Sequence, residues 1–377
     1  MTYLTFSYQR TPKITQIDLF DQIYNNTLVL PKSNIDYPEY CTIQTEEVHN
    51  TPSIATQLRN LKELKQFFTP QVLEMLKEGL DNYYESYKIK KHSGGYRPID
   101  APKPELKSTL KRITNYLQNN CFIHPHNAAY AYVPKRCAKH SLQRHQYNQS
   151  KHFLHLDLEN FFGSCDAAFI HQQLKQIFPF SELYKTKEDQ KTIYQLVELA
   201  LYKGRLPQGS PLSPFLTNII MIPIDYKLYE LFRQYNKQHF VYTRYADDID
   251  ISSKYDFDYK EILKNIEQIL PPTPLKINYK KVHYTTTAHR NWHLGLMLNQ
   301  QNKITLGHKR KKEIKKELLN YCLHKDTWEK EDIEQFHGEL MYFAQIEPDY
   351  FSYIIQNYTE KYNRNIDIIT EMRQALT

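Results

Sequence analysis

Two adjacent carboxylates, Asp247 and Asp248, stand between two short segments that show the residue alternation of β-strands. Aromatic and β-branched residues precede the pair at 240–243, and Ile249 and Ile251 follow it. Neighbouring carboxylates repel each other, so a fold that holds them together favours a cation between them. Mg²⁺ is such a cation, because it binds one or two carboxylates together with substrate phosphates. A solvated turn without chemistry is the alternative interpretation.

A third carboxylate, Asp157, ends an apolar segment at 152–157 and is followed by Phe161 and Phe162. Between this segment and the carboxylate pair lies a loop at 205–218, which contains Pro and Gly and runs into a predicted helix. Each of these segments alone could arise by chance, whereas their joint occurrence favours a catalytic centre.

Three sequences within these segments resemble the motifs of a reverse-transcriptase palm and stand in the same order: LDLENFF from Leu156, LPQGSPLSP from Leu206 and YADD from Tyr245. Helical and strand segments are mixed along the chain instead of alternating regularly, which indicates an α+β architecture. The resemblance implies a right-hand polymerase with an N-terminal region and fingers at 1–150, a palm with the catalytic centre and interleaved finger elements at 151–306, and a short helical thumb at 307–377.

Apolar periodicity predicts that the remaining elements are mostly helical. Helices are expected at 53–87 with a start signal at Pro70, at 102–119, at 165–203, at 257–270 and from 307 to the end. A hairpin is expected at 84–99, and strands are expected at 275–284 and 294–306.

The resemblance implies that two divalent metal ions, Mg²⁺ or Mn²⁺ in its place, brace the attacking 3′ oxygen and the leaving pyrophosphate. Asp157, Asp247 and Asp248 would be the catalytic ligands, together with the backbone carbonyl of Leu158. Asp250 is assigned to support of its strand or to a surface ion pair.

The same resemblance assigns residues to the incoming nucleotide. Phe162 would be a steric gate that excludes a ribose 2′ hydroxyl, although a core aromatic is the alternative for this residue and the expected role of Phe161. The other nucleotide contacts are Arg97 and Lys91 for the phosphates, Gln208, Gly209 (which would let the backbone approach the base pair), and Lys281 as a general acid.

Primer and template contacts are implied for the C-terminal part of the chain. Trp292 and Gly295 lie where a primer grip belongs, and Lys309 and Arg310 begin a basic stretch that would bind phosphates without reading sequence. Solvated lysines are the alternative for such a run.

Composition adds weaker constraints. The five Cys residues form no CxxC pair, which argues against a zinc site or a disulfide framework and fits a reducing cytosol. The net charge of +7 suits a polyanionic partner. No run of 18 apolar residues occurs, and the polar N-terminal stretch is not a signal peptide, so we expect a cytoplasmic protein that does not bind a membrane.

The resemblance is to bacterial enzymes of the retron or antiphage-defence type, with departures. Retron enzymes carry an Asn-Ala-x-x-His element and a Val-Thr-Gly in the primer grip. Here Ser141-Leu142 and His293-Leu294 stand at the first two positions of these elements, whereas His145 and Gly295 are kept.

Such an enzyme is expected to make cDNA from a dedicated, structured non-coding RNA. Its partners would be that RNA, dNTPs, the DNA product and an effector protein. Template-independent or protein-primed DNA synthesis on the same palm is the alternative. A non-enzymatic RNA-binding scaffold is less favoured, because it has no use for three converging carboxylates.

Overall fold

The structure, a computed structural model, describes residues 52–90, 94–235 and 239–377. Most of its elements are helices. In chain order the α-helices are α1 (Ile54–Lys62), α2 (Pro70–Glu78), α3 (Pro104–Asn120), α4 (Ala138–Tyr147), α5 (Ala167–Leu174), α6 (Lys187–Ala200), α7 (Leu212–Ile220), α8 (Ile222–Gln234), α9 (Tyr259–Ile269), α10 (Gly307–His324), α11 (Lys330–Ile346), α12 (Pro348–Lys361) and α13 (Ile368–Leu376).

A four-stranded antiparallel sheet carries the carboxylates singled out above. The strands of the chain are β1 (Tyr84–Lys90), β2 (Tyr96–Pro102), β3 (His152–Asp157), β4 (Val241–Tyr245), β5 (Asp248–Ser253), β6 (His283–Thr286), β7 (Met297–Leu298) and β8 (Ile304–Thr305). The sheet has the order β4–β5–β3–β6, so β3 pairs on both sides. The pairs β1–β2 and β7–β8 form separate hairpins.

Local capping explains where α2 begins. The Thr69 hydroxyl accepts a hydrogen bond from the Val72 N–H at 3.4 Å, and Pro70 occupies the first turn, where its missing N–H costs no helical hydrogen bond. The predicted start signal at Pro70 is therefore confirmed. The predicted helices at 102–119 and 257–270 coincide with α3 and α9.

The predicted strand at 275–284 is wrong over most of its length. The chain turns at Asn278, whose N–H donates to the carbonyl of Asp157 at 2.8 Å, and it continues as a 3₁₀ turn at Tyr279–Lys281. Continuous pairing with β3 is confined to β6, and Ile277 forms only an isolated bridge with Leu158. Of the predicted strand at 294–306, only the short strands β7 and β8 form.

Two groups of buried apolar side chains make up the core. The larger group joins the central sheet to the helices before residue 270 other than α4. The smaller group joins α10–α13 to β7 and β8, and also to Leu142 and Phe153. Helix α10 begins at Gly307, where the sequence places the start of the thumb, and the division into three domains remains a prediction. No described helix is long and apolar enough to cross a membrane.

A fully buried ion pair connects β4 to α8. The Nε and Nη2 atoms of Arg244 donate to the two carboxylate oxygens of Asp225 at 2.8 and 2.7 Å, and both side chains are 0% exposed. The Nη1 atom donates to the carbonyl of Ala246 at 3.1 Å and to the Asn218 side chain at 3.2 Å. The Tyr242 hydroxyl adds a third hydrogen bond to Asp225 at 2.6 Å. One guanidinium thus ties the end of β4 to α7 and α8.

We expect Asp225→Asn to destabilise the fold strongly, because it leaves the buried guanidinium of Arg244 without a compensating charge. The free energy of unfolding should fall by about 3–5 kcal/mol, measured by urea denaturation. The control is Glu230→Gln on the same helix, which removes an exposed pair with Arg233 (2.8 Å) and should cost less than about 1 kcal/mol. Equal losses in the two variants would contradict this interpretation.

Candidate active site

Asp247 and Asp248 lie at the turn between β4 and β5, where the sequence places them. Tyr245 pairs with Asp248 in the ladder, so Ala246 and Asp247 form the turn. Ala246 has a φ of +59°, a left-handed conformation that is uncommon for a residue other than glycine. Its carbonyl accepts the hydrogen bond from Arg244. The buried guanidinium therefore holds the turn in this conformation.

Asp157 reaches the same end of the sheet from β3. It faces Asp248 across the β3–β5 pair, and the N–H of Leu158 donates to the carbonyl of Asp247 at 3.0 Å. The structure thus brings the three predicted carboxylates together, with the backbone of Leu158 beside them. Within the described residues, no three Asp, Glu, His or Cys side chains already surround one position that suits a metal ion.

Negative charge at this end of the sheet is only partly balanced. Burial, followed by the neighbouring carboxylates, raises the pKa of Asp248 to about 7. Burial also raises the pKa of Asp247, and Asp157 adds to this effect. Asp157 itself accepts hydrogen bonds from Lys281 Nζ at 2.5 Å and from Asn278 Nδ2 at 3.0 Å. Carboxylates that resist ionisation in this way favour the binding of a further cation.

The loop before α7 packs against the hairpin formed by β1 and β2. Gly209 has a φ of +130°, and a Cβ at this position would lie 2.7 Å from the carbonyl oxygen of Asp100. The N–H of Asp100 donates to the carbonyl of Gln208 at 2.9 Å. The sequence interpretation assigned the freedom of Gly209 to an approach to the base pair. The close approach that the structure shows is to β2.

Of the other residues predicted to contact the nucleotide, Arg97 and Phe162 are described by the structure and Lys91 is not. Arg97 lies on β2 opposite Ile89 and is exposed. Lys91 lies outside the described residues. Phe162 is partly buried, and its ring meets the ring of Phe161 edge to face with 5.6 Å between centroids. Phe161 is 2% exposed, in agreement with the core role expected for it.

A tight turn forms where the sequence predicts a primer grip. His293 and Leu296 exchange two backbone hydrogen bonds of 2.7 and 2.9 Å. The two residues between them, Leu294 and Gly295, have φ values of +51° and +83°. Positive φ at both central residues is typical of the turns that close two-residue hairpin loops. The turn therefore has a defined shape that its own backbone maintains.

A groove of about 630 Å³ lies between this turn and the helices α10 and α11. The residues that line it include the four assigned to primer and template, Trp292, Gly295, Lys309 and Arg310. Arg310 is engaged within the protein, because its guanidinium pairs with Glu313 at 3.2 Å and with Glu339 at 2.8 Å. Lys309 is exposed.

The sequence interpretation missed the burial of Asp250. This residue is 4% exposed, and its carboxylate pairs with His155 and His293 instead of forming a surface ion pair. The alternation of strand residues contains the signal: His155 stands two residues before Asp157, and Asp250 stands two residues after Asp248.

Residues 89–315, more than half of the chain, match the family described as reverse transcriptase (RNA-dependent DNA polymerase). The chain belongs to the reverse transcriptase family. It is similar to the retron Ec83 reverse transcriptase of Escherichia coli, with 28% identity over 305 residues that cover 79% of this chain and 94% of the relative. The retron Ec73 reverse transcriptase of the same organism is 29% identical over 289 residues, which cover 74% of this chain and 87% of the relative.

More distant proteins also match. The retron Mx162 reverse transcriptase of Myxococcus xanthus is 23% identical over 290 residues, which cover 71% of this chain and 58% of the relative. The solved structure of apo telomerase from Candida tropicalis matches with a TM-score of 0.42 and 12% identity over 74% of this chain and 62% of that chain.

The matches confirm the prediction of a bacterial, retron-like reverse transcriptase with an α+β right-hand fold. The protein is an RNA-directed DNA polymerase, and enzymes of this family use divalent metal ions.

We expect Gly209→Ala to impair this reverse transcriptase by forcing the loop before α7 away from β2. The new Cβ would meet the Asp100 carbonyl, and a φ of +130° disfavours any side chain, so stability should fall by about 1–3 kcal/mol with at least a tenfold loss of polymerisation. Thermal melting and primer extension measure the two effects.

Gly204→Ala is the matched control. Gly204 also has a positive φ, +75°, but nothing lies within 4 Å of an added Cβ. This variant should lose about 1 kcal/mol or less and keep its activity. If Gly204→Ala lost as much activity as Gly209→Ala, the contact between Gly209 and β2 would not be the cause of the loss.

Proposed function

We propose that this reverse transcriptase copies a dedicated, structured non-coding RNA into cDNA and that it acts in bacterial antiphage defence. The observation that carries the proposal is the meeting of Asp157, Asp247 and Asp248 at one end of the sheet. The choice of a dedicated RNA is supported by the similarity to retron enzymes, which extends over most of their length.

The three carboxylates fit a divalent metal ion. Asp247 and Asp248 have raised pKa values in the absence of a further cation, and carboxylate oxygens are the ligands that Mg²⁺ prefers. We assign the binding of two Mg²⁺ ions to Asp157, Asp247, Asp248 and the carbonyl of Leu158. When bound, such ions stabilise the charge on the attacking 3′ oxygen and on the leaving pyrophosphate.

Lys281 has two roles in this proposal. Its ammonium holds Asp157 through a hydrogen bond of 2.5 Å, and this hydrogen bond raises the pKa of Lys281. The side chain therefore carries its proton at neutral pH, and its outer part remains accessible because it is 61% exposed. We assign to Lys281 Nζ the proton that the leaving pyrophosphate takes up.

We also assign the remaining nucleotide contacts to side chains that are exposed or only partly buried. Phe162 is partly buried five residues after Asp157, and its ring would exclude the 2′ hydroxyl of a ribonucleotide. Arg97 would bind the triphosphate, because a guanidinium forms paired hydrogen bonds with phosphate oxygens. Gln208 would contact the incoming nucleotide, with its backbone anchored to β2.

We also propose that the chain divides into fingers up to residue 150, a palm at 151–306 and a thumb from 307. The start of α10 at Gly307 supports the last boundary, and the apolar core of α10–α13 continues across this boundary to β7 and β8. Trp292, Gly295 and Lys309 would then contact primer and template at the groove between palm and thumb.

The experiment that tests the function is to sequence the nucleic acids that co-purify with the protein. We expect one abundant RNA species together with DNA complementary to part of it. The Asp247→Asn variant should keep the RNA and lose the DNA, because it removes a metal-binding charge and preserves the size of the side chain. DNA without complementarity to a bound RNA would contradict templated synthesis and favour the template-independent alternative.

We expect Phe162→Val to admit ribonucleotides, because a smaller side chain opens space beside the 2′ position of the sugar. The ratio of rNTP to dNTP incorporation efficiency should rise at least tenfold in primer extension. Phe161→Leu is the control, since Phe161 is 2% exposed and its loss should lower stability without changing this ratio. An unchanged ratio in an active Phe162 variant would assign Phe162 to the core.

A further inference from the structure

A buried carboxylate lies directly behind the catalytic end of β5. Asp250 is two residues from Asp248 and 4% exposed. Its Oδ1 atom binds Nδ1 of His155, which stands opposite it in the β3–β5 register, and its Oδ2 atom forms an ion pair with Nδ1 of His293. Asp250 therefore binds one residue of the palm sheet and one residue of the turn at 292–296.

His293 is the side-chain link from this turn to β5. It is 3% exposed, whereas Trp292 and Leu294 on either side are 41% and 38% exposed. The backbone of His293 closes the turn through its two hydrogen bonds with Leu296. A movement of His293 therefore moves the whole turn, including the exposed side chains on its outer face.

The groups around the Asp250–His293 pair favour the protonated, positively charged form of His293. Burial lowers the pKa of His293, but the facing Asp250 outweighs that effect, and the pKa is raised. His145, whose ring centroid lies 6.3 Å from that of His293, is held by Ser252 and Thr243, and burial lowers its pKa to about 3. His145 is therefore neutral near pH 7.

The cluster is not built for stability alone. The Nε2 atoms of His155 and His293 and the Oδ2 atom of Asp250 are buried without a hydrogen-bond partner, which costs free energy. Buried ion pairs are often no more stabilising than apolar residues of similar volume. A buried ion pair of this kind has a role that an apolar contact would not fulfil. It fixes the position of two structural elements relative to each other.

We propose that the Asp250–His293 ion pair is a positioning link, which sets where the turn at 292–296 stands relative to the Asp247–Asp248 end of β5. The inference rests on the proposed function, in which this turn holds the primer. The link then determines how the primer 3′ end meets the catalytic carboxylates. A misplacement of about 1 Å is enough to reduce the rate of a chemical step by as much as a hundredfold.

Two double variants test the link without leaving a buried charge unpaired. Asp250→Asn with His293→Gln keeps two side chains that hydrogen-bond to each other, whereas Asp250→Val with His293→Leu removes the connection. Single-turnover extension of oligo(dT) on poly(rA) with dTTP and Mg²⁺ gives the rate constant of incorporation and the affinity for dTTP. Both values are independent of the active fraction of the preparation.

We expect the apolar double variant to lose at least tenfold in the rate constant, with an affinity for dTTP within twofold of that of the unmodified enzyme. The amide double variant should stay within threefold in both values. If the apolar double variant does not fold, His293→Leu alone replaces it, because Asp250 then keeps His155 as a partner. Rate constants that agree between the apolar and amide variants would overturn the proposal.

His171→Leu is the matched control outside the site. Its ring is hydrogen-bonded to the Tyr184 hydroxyl at 2.7 Å, and it lies on α5. This variant should lower the melting temperature and leave the rate constant within twofold. Failure of the unmodified enzyme both to extend this primer and to copy its co-purifying RNA would contradict the proposed function itself. Normal extension with equal rate constants for the two double variants would contradict only the link.

Discussion

The arrangement of the catalytic end of the palm depends on one buried guanidinium. Arg244 binds Asp225 of α8, Asn218 of α7 and the carbonyl of Ala246, and its own backbone N–H and carbonyl bond to the chain at 128–130. The cost of removing a charge from water is offset here by the four hydrogen bonds of the guanidinium, two of them to the Asp225 carboxylate. Helices α7 and α8 and the segment at 128–130 are thereby located relative to the turn that carries Asp247.

Charges are balanced around Arg244 in the interior but only partly balanced at the edge of the sheet that carries Asp157, Asp247 and Asp248. In the interior, the guanidinium of Arg244 forms two hydrogen bonds with the carboxylate of Asp225, and the two charges balance each other. At the edge of the sheet, Lys281 binds Asp157 while the pKa values of Asp247 and Asp248 remain raised. The rigid interior thus holds carboxylates close together against their mutual repulsion, which is the condition under which a divalent cation is bound strongly.

Local signals in the sequence were sufficient for the motifs and for much of the secondary structure. The alternation around Asp247 and the Pro70 start signal depend on neighbouring residues, and both were identified correctly. The strand predicted at 275–284 is interrupted by the 3₁₀ turn at Tyr279–Lys281, beside which the side chains of Asn278 and Lys281 donate to the carboxylate of Asp157. These two residues lie more than 100 positions from Asp157 in the sequence. The partner of Arg244 and the pairing of Asp250 with His293 likewise depend on which helices and turns pack together, and no local pattern encodes that choice.

The loop before α7 and the strands beside the Asp pair are each held by contacts with other parts of the chain. The loop before α7 meets β2 through Gly209, the end of β4 is held by Arg244, and β5 reaches the turn at 292–296 through Asp250. Each contact joins the backbone or a buried charge of a motif to a different region of the chain. In the proposed function, the nucleotide, the three carboxylates and the primer must meet with a displacement of less than about 1 Å. Contacts of this kind, which tolerate little displacement, are suited to that requirement.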